Sequence, residues 1–392
     1  MPDVRIRFLD LRAQYATLAD EVRAAVDEVF ATQAFVLGAA VGRFEEALAA
    51  YLGAAAAVGV ASGTDALYLA LRAAGVGAGD AVLTTPFSFV ATATAIARTG
   101  ARPYFADIEP ASFNLDPAAV DRWLAACRRE GELLRAPGGE RVRVILPTHL
   151  FGRICDMDAL TALARAHALE VVEDAAQAIS ARAADGRAAA ALGRFGCLSF
   201  YPTKHLGGAG DGGAVVCTRA GDAALVRRIA RHGADGGPYR HVLLGLASRL
   251  DALQAAVLAV KLPRLDAWNA ARRRHAARYE ECIAATFGRA GAVRPPGLVD
   301  AHVYHQYVVR LPDRDRDRVR AALAAEGIET QVYYPIPLHL QPCFADLGYA
   351  PGDLPEAERA SREALALPLY PELPEDAPAV VVAAIARALE RR

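Results

Sequence analysis

RVRVILPTHLFGRICDMDALTALARAHALEVVEDAAQA, residues 141–178, holds the pattern that decides the fold. RVRVILPTHLFG reads as a strand, MDALTALARAHAL as a helix with apolar residues at three- and four-residue spacing, and EVVEDAAQA as a strand again. The same alternation runs upstream. AAAVGVASG is a short apolar run, and TDALYLALRAAGV is an amphipathic helix with Thr64 and Asp65 in its first turn. DAVLTTPFSFVATATAIARTG gives a strand to Thr85 and a helix to Gly100, and RPYFADI a further strand. Strands alternating with helices predict an α/β fold, a mostly parallel sheet covered on both faces, with ligands collecting at the carboxyl ends of the strands.

Residues 16–31 and 41–53 read as two opening helices. After GDGGAVVCT a helix runs to Gly233, and the polar segment ADGGPYRHVLLG follows. A boundary near 245 divides the chain into a large domain, 1–245, and a smaller C-terminal α+β domain, 246–392. Residues 249–286 form a long helical pattern that Pro263 must kink or break. The last hundred residues alternate strand patterns (YHQYVVRL, TQVYY) with helices (DRVRAALAAEG, EAERASREALA, AVVVAAIARALE). Much of the apolar content is alanine, so the Ala/Arg-rich stretches are expected to be helical.

At 392 residues the chain has the size of a soluble enzyme. Its 44 basic and 45 acidic side chains are well mixed, which disfavours nucleic acid or an anionic membrane as partner and favours a small molecule. Six scattered cysteines without a CxxC pair fit reduced thiols in the cytoplasm and no metal site. No window approaches the roughly 18 apolar residues of a membrane helix.

The chemistry gathers at strand ends. VVEDAAQA ends an apolar strand in Glu173 and Asp174, followed by Gln177; a carboxylate there serves either as a helix cap or as a ligand group. In SFYPTKHLGGAGDGGAVV, 199–216, Lys204 stands alone before five glycines. It is either a solvated loop residue or a Schiff-base nucleophile, whose pKa desolvation or nearby cationic groups must lower from about 10.4. Asp174, Lys204, the Ser-Gly-Thr turn at 62–64 and Ser199 together supply what pyridoxal 5′-phosphate demands. These are an amine to hold it, a carboxylate for its ring nitrogen, and helix amides with hydroxyls for its phosphate.

GTDALYLAL, TPFSFVATATA, PTHLFGRICDMDAL, VEDAAQAIS, SFYPTKHLGGAGDGGAVV and SRLDALQAAVL occur in the order of the DegT/StrS family of pyridoxal-phosphate-dependent sugar aminotransferases. The resemblance spans nearly the whole chain. It implies the fold type I aminotransferase architecture, a homodimer with shared active sites, and transfer of an amino group from L-glutamate to a nucleotide-linked keto-sugar. Position by position, it implies that Lys204 forms the Schiff base, Asp174 meets the pyridine nitrogen, and Gln177 faces the ring hydroxyl. Phe89 stacks on the ring, while Gly63, Thr64 and Ser199 hold the phosphate. Phe89 as plain core and Ser199 as a strand-end hydroxyl stay open.

Three positions depart from the family pattern. His205 stands where asparagine usually follows the lysine, as a loop histidine or a proton shuttle. Ala247 stands where an asparagine usually reaches the neighbouring subunit's phosphate, so either Ser248 or water substitutes or cofactor affinity is weaker. Ile179-Ser180 replaces a pair ending in glycine, a change expected to reshape the pocket wall. Arg249 resembles an arginine that faces the sugar from the partner subunit; a capping or interface role is equally open. VYYPIPLHLQPCF, with His339, resembles members that aminate carbon 3, and HQYVVR, 305–310, resembles a strand near the substrate; both also suit a half-buried core. Dehydratases of the family replace the lysine with histidine, so Lys204 speaks for transamination. A keto-cyclitol acceptor, or a non-catalytic sugar-nucleotide-binding regulator on the same scaffold, are the alternatives.

Overall fold

A computed structural model describes residues 5–235, 239–288, 291–312 and 316–390. Its centre is one sheet in the order β1-β9-β8-β7-β6-β2-β3. The strands are β1 (Ala56–Val60), β2 (Asp80–Thr84), β3 (Arg102–Phe105), β6 (Arg141–Leu146), β7 (Glu170–Asp174), β8 (Phe195–Ser199) and β9 (Gly213–Cys217). A short hairpin of β4 (Arg128–Glu130) and β5 (Leu133–Arg135) hangs on β6. Of the seven strands in that order β9 alone runs against the rest, between β1 and β8, so the expected mostly parallel sheet is what forms.

Alternation along the strands builds two cores. Val58, Val82, Val172 and Val215 pack with the helix Gly63–Ala73 on one face, while Ala57, Leu83, Val171 and Val216 pack on the other with the helices Ala39–Leu52 and Ala252–Lys261. Along β6 the alternation breaks: Ala81 pairs with Val142 but Val82 with Val144, so Arg143 is bulged out. That extra residue lets Val142 and Ile145 face one core and Val144 and Leu146 the other.

The long helical pattern breaks where Pro263 sits, passing through a 3-10 turn, Leu262–Arg264, into Leu265–Phe287. This last helix, the C-terminal helix Ala377–Glu390 and a two-stranded sheet of β10 (Tyr307–Arg310) and β11 (Ala364–Leu367) share a separate core. Ile6 joins that core from the other end of the chain, bridging to Ile328.

Two expectations are corrected. EAERASREALA is helical only to Glu363; its last residues turn into β11, because Leu365 and Leu367 bury fully there and their backbone finds a partner in β10. This tertiary pairing outweighs the helix propensity of alanine and leucine. TQVYY makes a single bridge, Gln331 to Ala366, and is no strand. The Ala-rich stretch 183–191 is a loop.

Candidate active site

A cleft of about 680 Å³ opens at the carboxyl ends of β7 and β8. That is a ligand-sized volume. Lys204, Asp174, Gln177, Gly63, Thr64, Phe89 and Ser199 all line it, although 141 residues of chain separate Gly63 from Lys204.

The last two residues of β7 point to opposite sides of the sheet, which gives two neighbouring carboxylates different work. Glu173 turns away from the cleft, fully buried, and accepts from the amides of Ala190, Leu192 and Gly193 at 2.6–2.9 Å. His149 Nε2–H adds a fourth bond at 2.8 Å, a tautomer set by its Nδ1, which accepts the Cys155 N–H. Glu173 therefore folds the Ala-rich loop.

Asp174 turns into the cleft. Thr92 Oγ1–H donates to its Oδ2 at 2.7 Å, and the Ala176 amide to its Oδ1 at 3.2 Å. Because Thr92 spends its proton on Asp174, the Ser88 hydroxyl, 2.8 Å away, must donate to Thr92. Burial pushes the Asp174 carboxyl up, and the bonds from Thr92 and Ala176 and the charge of Lys204 pull it back.

Lys204 sits in the turn after β8, its amide donating to the Tyr201 carbonyl. Burial takes its ammonium down to about 8, against the pull of Asp174. A neutral amine is thus within reach near physiological pH.

The helix Gly63–Ala73 points its N-terminus at this turn. Ser62 caps it, its Oγ accepting the Asp65 amide at 3.1 Å. The first helix amides have no intrahelical partner, and Ser199 lies against them. A methyl on Gly63 would come within 2.7 Å of Ser199 Cβ, so glycine is required for this approach. Ser199 Oγ accepts from the Tyr201 amide, which leaves its proton free to donate to an anion. Across the cleft Phe89 is 56 % exposed, an aromatic face without a cover. Gln177 Oε1 accepts the Phe151 amide at 2.7 Å, and its Nε2 donates to Tyr334, leaving one N–H over.

These groups fit pyridoxal phosphate: an amine of lowered pKa, a buried carboxylate, an open aromatic face and a helix N-terminus beside a free hydroxyl. Thr148 Oγ1, buried on the same cleft, is without a hydrogen-bond partner among the described residues.

Arg249 and His339 are not brought to the cleft. Arg249 is exposed, two residues ahead of the Asp251 cap. His339, in the Leu338–Leu340 turn, is buried against Glu358, its Nε2 3.3 Å from the carboxylate. Ser248 cannot replace the missing asparagine in a neighbouring subunit: it is fully buried and accepts the Ala61 amide of its own chain. Ser180 lies off the cleft, at φ 72 in the left-handed region that favours glycine, and bonds to Asn269. His205 is buried beside the Tyr304 backbone, and burial drives it well below the ordinary histidine value, so it is neutral.

Sequence reasoning missed Thr92 and Ser88, which hold Asp174. Both lie within TPFSFVATATA, and hydroxyls at four-residue spacing in an otherwise apolar helix start were the available signal. Among the described residues no helix is long and apolar enough to cross a membrane.

The model of the DegT/DnrJ/EryC1/StrS aminotransferase family matches residues 16–386. A pleiotropic regulatory protein of Geobacillus stearothermophilus is 46 % identical over 98 % of both chains. A UDP-N-acetyl-3-dehydro-α-D-glucosamine 3-aminotransferase of Acidithiobacillus ferrooxidans is 39 % identical, again over 98 % of both. Among solved structures, S. venezuelae DesV superimposes with a TM-score of 0.90 at 39 % identity over 99 % of each chain. The chain belongs to the DegT/DnrJ/EryC1/StrS aminotransferase family and has the fold type I aminotransferase architecture.

Proposed function

We propose that this member of the family is a pyridoxal-phosphate-dependent aminotransferase that moves an amino group from L-glutamate to a nucleotide-linked keto-sugar, at carbon 3 in preference to carbon 4. The observation that carries it is the meeting of Lys204, Asp174, Gly63 and Ser199 in one cleft. The 3-aminotransferase among the relatives supports the choice of carbon.

When bound, pyridoxal phosphate supplies a ring that withdraws electrons from the carbon next to the transferred nitrogen. The protein's own groups do the rest. Lys204 Nζ, lowered to about 8, would hold the cofactor and, as a neutral amine, could take a proton from the substrate carbon. The Asp174 carboxylate, oriented by Thr92, holds a proton on the ring nitrogen. Ser199 Oγ–H and the first amides of the helix Gly63–Ala73 anchor the phosphate, and Phe89 covers the ring face and excludes water. Gln177 Nε2 serves the ring hydroxyl with its spare N–H.

A homodimer in the cytoplasm, with sites shared between copies, completes the proposal. Tyr239 and Leu244, 96 % and 93 % exposed in the segment leading to Arg249, suit a surface that a second copy covers. The name of the Geobacillus relative favours one other reading, a sugar-nucleotide-binding regulator on the same scaffold. One experiment separates them. The protein loaded with pyridoxal phosphate should absorb in the visible, the band should shift with glutamate, and 2-oxoglutarate should form when a UDP- or dTDP-linked 3-keto-sugar is added. Lys204→Ala should abolish band and turnover. Turnover retained in Lys204→Ala sinks the assignment, and a wild-type protein without band or turnover is a binding protein.

A further inference from the structure

Beside Lys204 a second chamber of about 290 Å³ shares Thr203, His305, Gln306 and Tyr333 with the cleft. Its wall includes Arg272, carried by the helix Leu265–Phe287 and only 5 % exposed. The guanidinium gives one Nη1–H to the Leu369 carbonyl at 2.8 Å. Among the described residues no carboxylate stands within ion-pair distance of it, and Glu372 acts on it only from further away. A buried cation without a counter-ion is costly, and the planar fork of arginine matches a carboxylate in two hydrogen bonds.

The neighbouring polar atoms are also unsatisfied. Among the described residues His305 Nδ1 and Gln306 Oε1 are buried without a hydrogen-bond partner, while the Gln306 side chain also bonds to Tyr333. His305 meets the ring of His205 edge to face at 5.2 Å. Burial keeps both histidines neutral, so Arg272 is the cation that lines this chamber. Buried polar atoms are almost always paired; a chamber that leaves these two free, beside a guanidinium without a carboxylate partner among the described residues, is shaped for a polar anion. One carboxylate stands at its edge: Glu329 is exposed and uses its Oε2 to accept the Phe8 amide at 2.9 Å.

We propose that this chamber receives a substrate carboxylate on the Arg272 guanidinium, with a hydroxyl or ammonium of the same molecule donating to Gln306 Oε1. The inference rests on the aminotransferase reading of the cleft, since reaction at Lys204 is what brings an acid to this wall. The carboxylate belongs either to the amino donor, a dicarboxylic amino acid, or to a sugar oxidised to a uronic acid.

The test is calorimetric binding of L-2-hydroxyglutarate and of glucuronate, neither of which carries an amine to transfer. It uses the full chain loaded with pyridoxal phosphate, as wild type, Arg272→Gln, Arg272→Lys and Gln306→Leu. Arg272→Gln should weaken binding about tenfold or more, the loss expected for a charge-assisted pair, with Arg272→Lys in between. Gln306→Leu, which leaves the bond from Arg272 to Leu369 in place, should weaken it about threefold or more. Unfolding temperatures identify any variant that fails to fold, and Gln306→Leu then decides alone. Loss confined to hydroxyglutarate supports the chamber and names the donor as its guest; loss confined to glucuronate supports it and names the sugar acid. Equal affinity in wild type and folded variants, or no binding of either acid to wild type, overturns the proposal. The visible band of the loaded protein reports on Lys204 separately, so a missing band with intact acid binding fails the reading of the cleft and leaves the chamber standing.

Discussion

Two glycines, both within helices, should respond to the same substitution with opposite sign. Gly42 lies in the helix Ala39–Leu52, and a methyl added there meets nothing within 4 Å. Gly42→Ala should stabilise the protein by about 1 kcal/mol, from reduced freedom of the unfolded chain and better helix propensity. Gly63→Ala puts a methyl 2.7 Å from Ser199 Cβ and 3.2 Å from Ser199 Cα. Carbon atoms rest about 3.5–4.0 Å apart, so the overlap is about 1 Å. Ser199 cannot slide away freely, because it pairs with Gly213, which is itself pressed against the Ser62 carbonyl so closely that a methyl there would come within 2.4 Å. Overpacking of this kind costs about 1–3 kcal/mol, so the two variants should differ by about 2–4 kcal/mol in urea unfolding. Displacing the Ser199 hydroxyl should also weaken pyridoxal phosphate by about tenfold, the loss of one hydrogen bond to a charged group, measured by spectral titration. Gly63→Ala as stable as wild type and binding the cofactor equally well would refute the close approach as the basis of the phosphate site.

Capture of pyridoxal phosphate by the cofactor-free protein should speed up as pH rises, with a midpoint near 8. The Lys204 ammonium is lowered to that value, and only its neutral form attacks. A midpoint near the roughly 10.4 of a solvated lysine would contradict the burial argument. Glu173→Gln should destabilise by about 3 kcal/mol or more, because an amide brings its own donors toward three backbone N–H groups and leaves some unsatisfied; a change under about 0.5 kcal/mol in urea unfolding, the range of neutral surface changes, counts against it. Thr92→Val removes the donor that pulls the Asp174 carboxyl down, so the carboxyl should titrate higher and cofactor affinity should fall about threefold to tenfold in spectral titration. Unchanged affinity would show that Thr92 does not orient Asp174.

The alternation in residues 141–178 was legible because strand and helix periods are local properties of the chain. So were Asp174, Gln177 and Lys204, which sit at or a few residues beyond the ends of such strands. The residues that hold them were harder to see. Thr92 serves Asp174 across 82 residues, and Arg272 comes within reach of the Lys204 wall only because Leu265–Phe287 packs beside it. Arg249 and His339 show the converse: a familiar sequence context placed them at the substrate, and the fold of a single chain puts one in solvent and the other against Glu358.

By itself, then, the sequence determined the order of strands and helices, the chemistry available at their ends, and the break at Pro263. Those follow from hydrophobic period, turn chemistry and a missing amide hydrogen, all settled within a few residues. Only the tertiary structure decided that ALAL becomes β11, that Glu173 serves the loop while Asp174 serves the cleft, and that Gly63 and Ser199 touch. Each of those depends on which distant backbone, amide or side chain fills the space opposite, and close packing settles that only when the whole chain is in place.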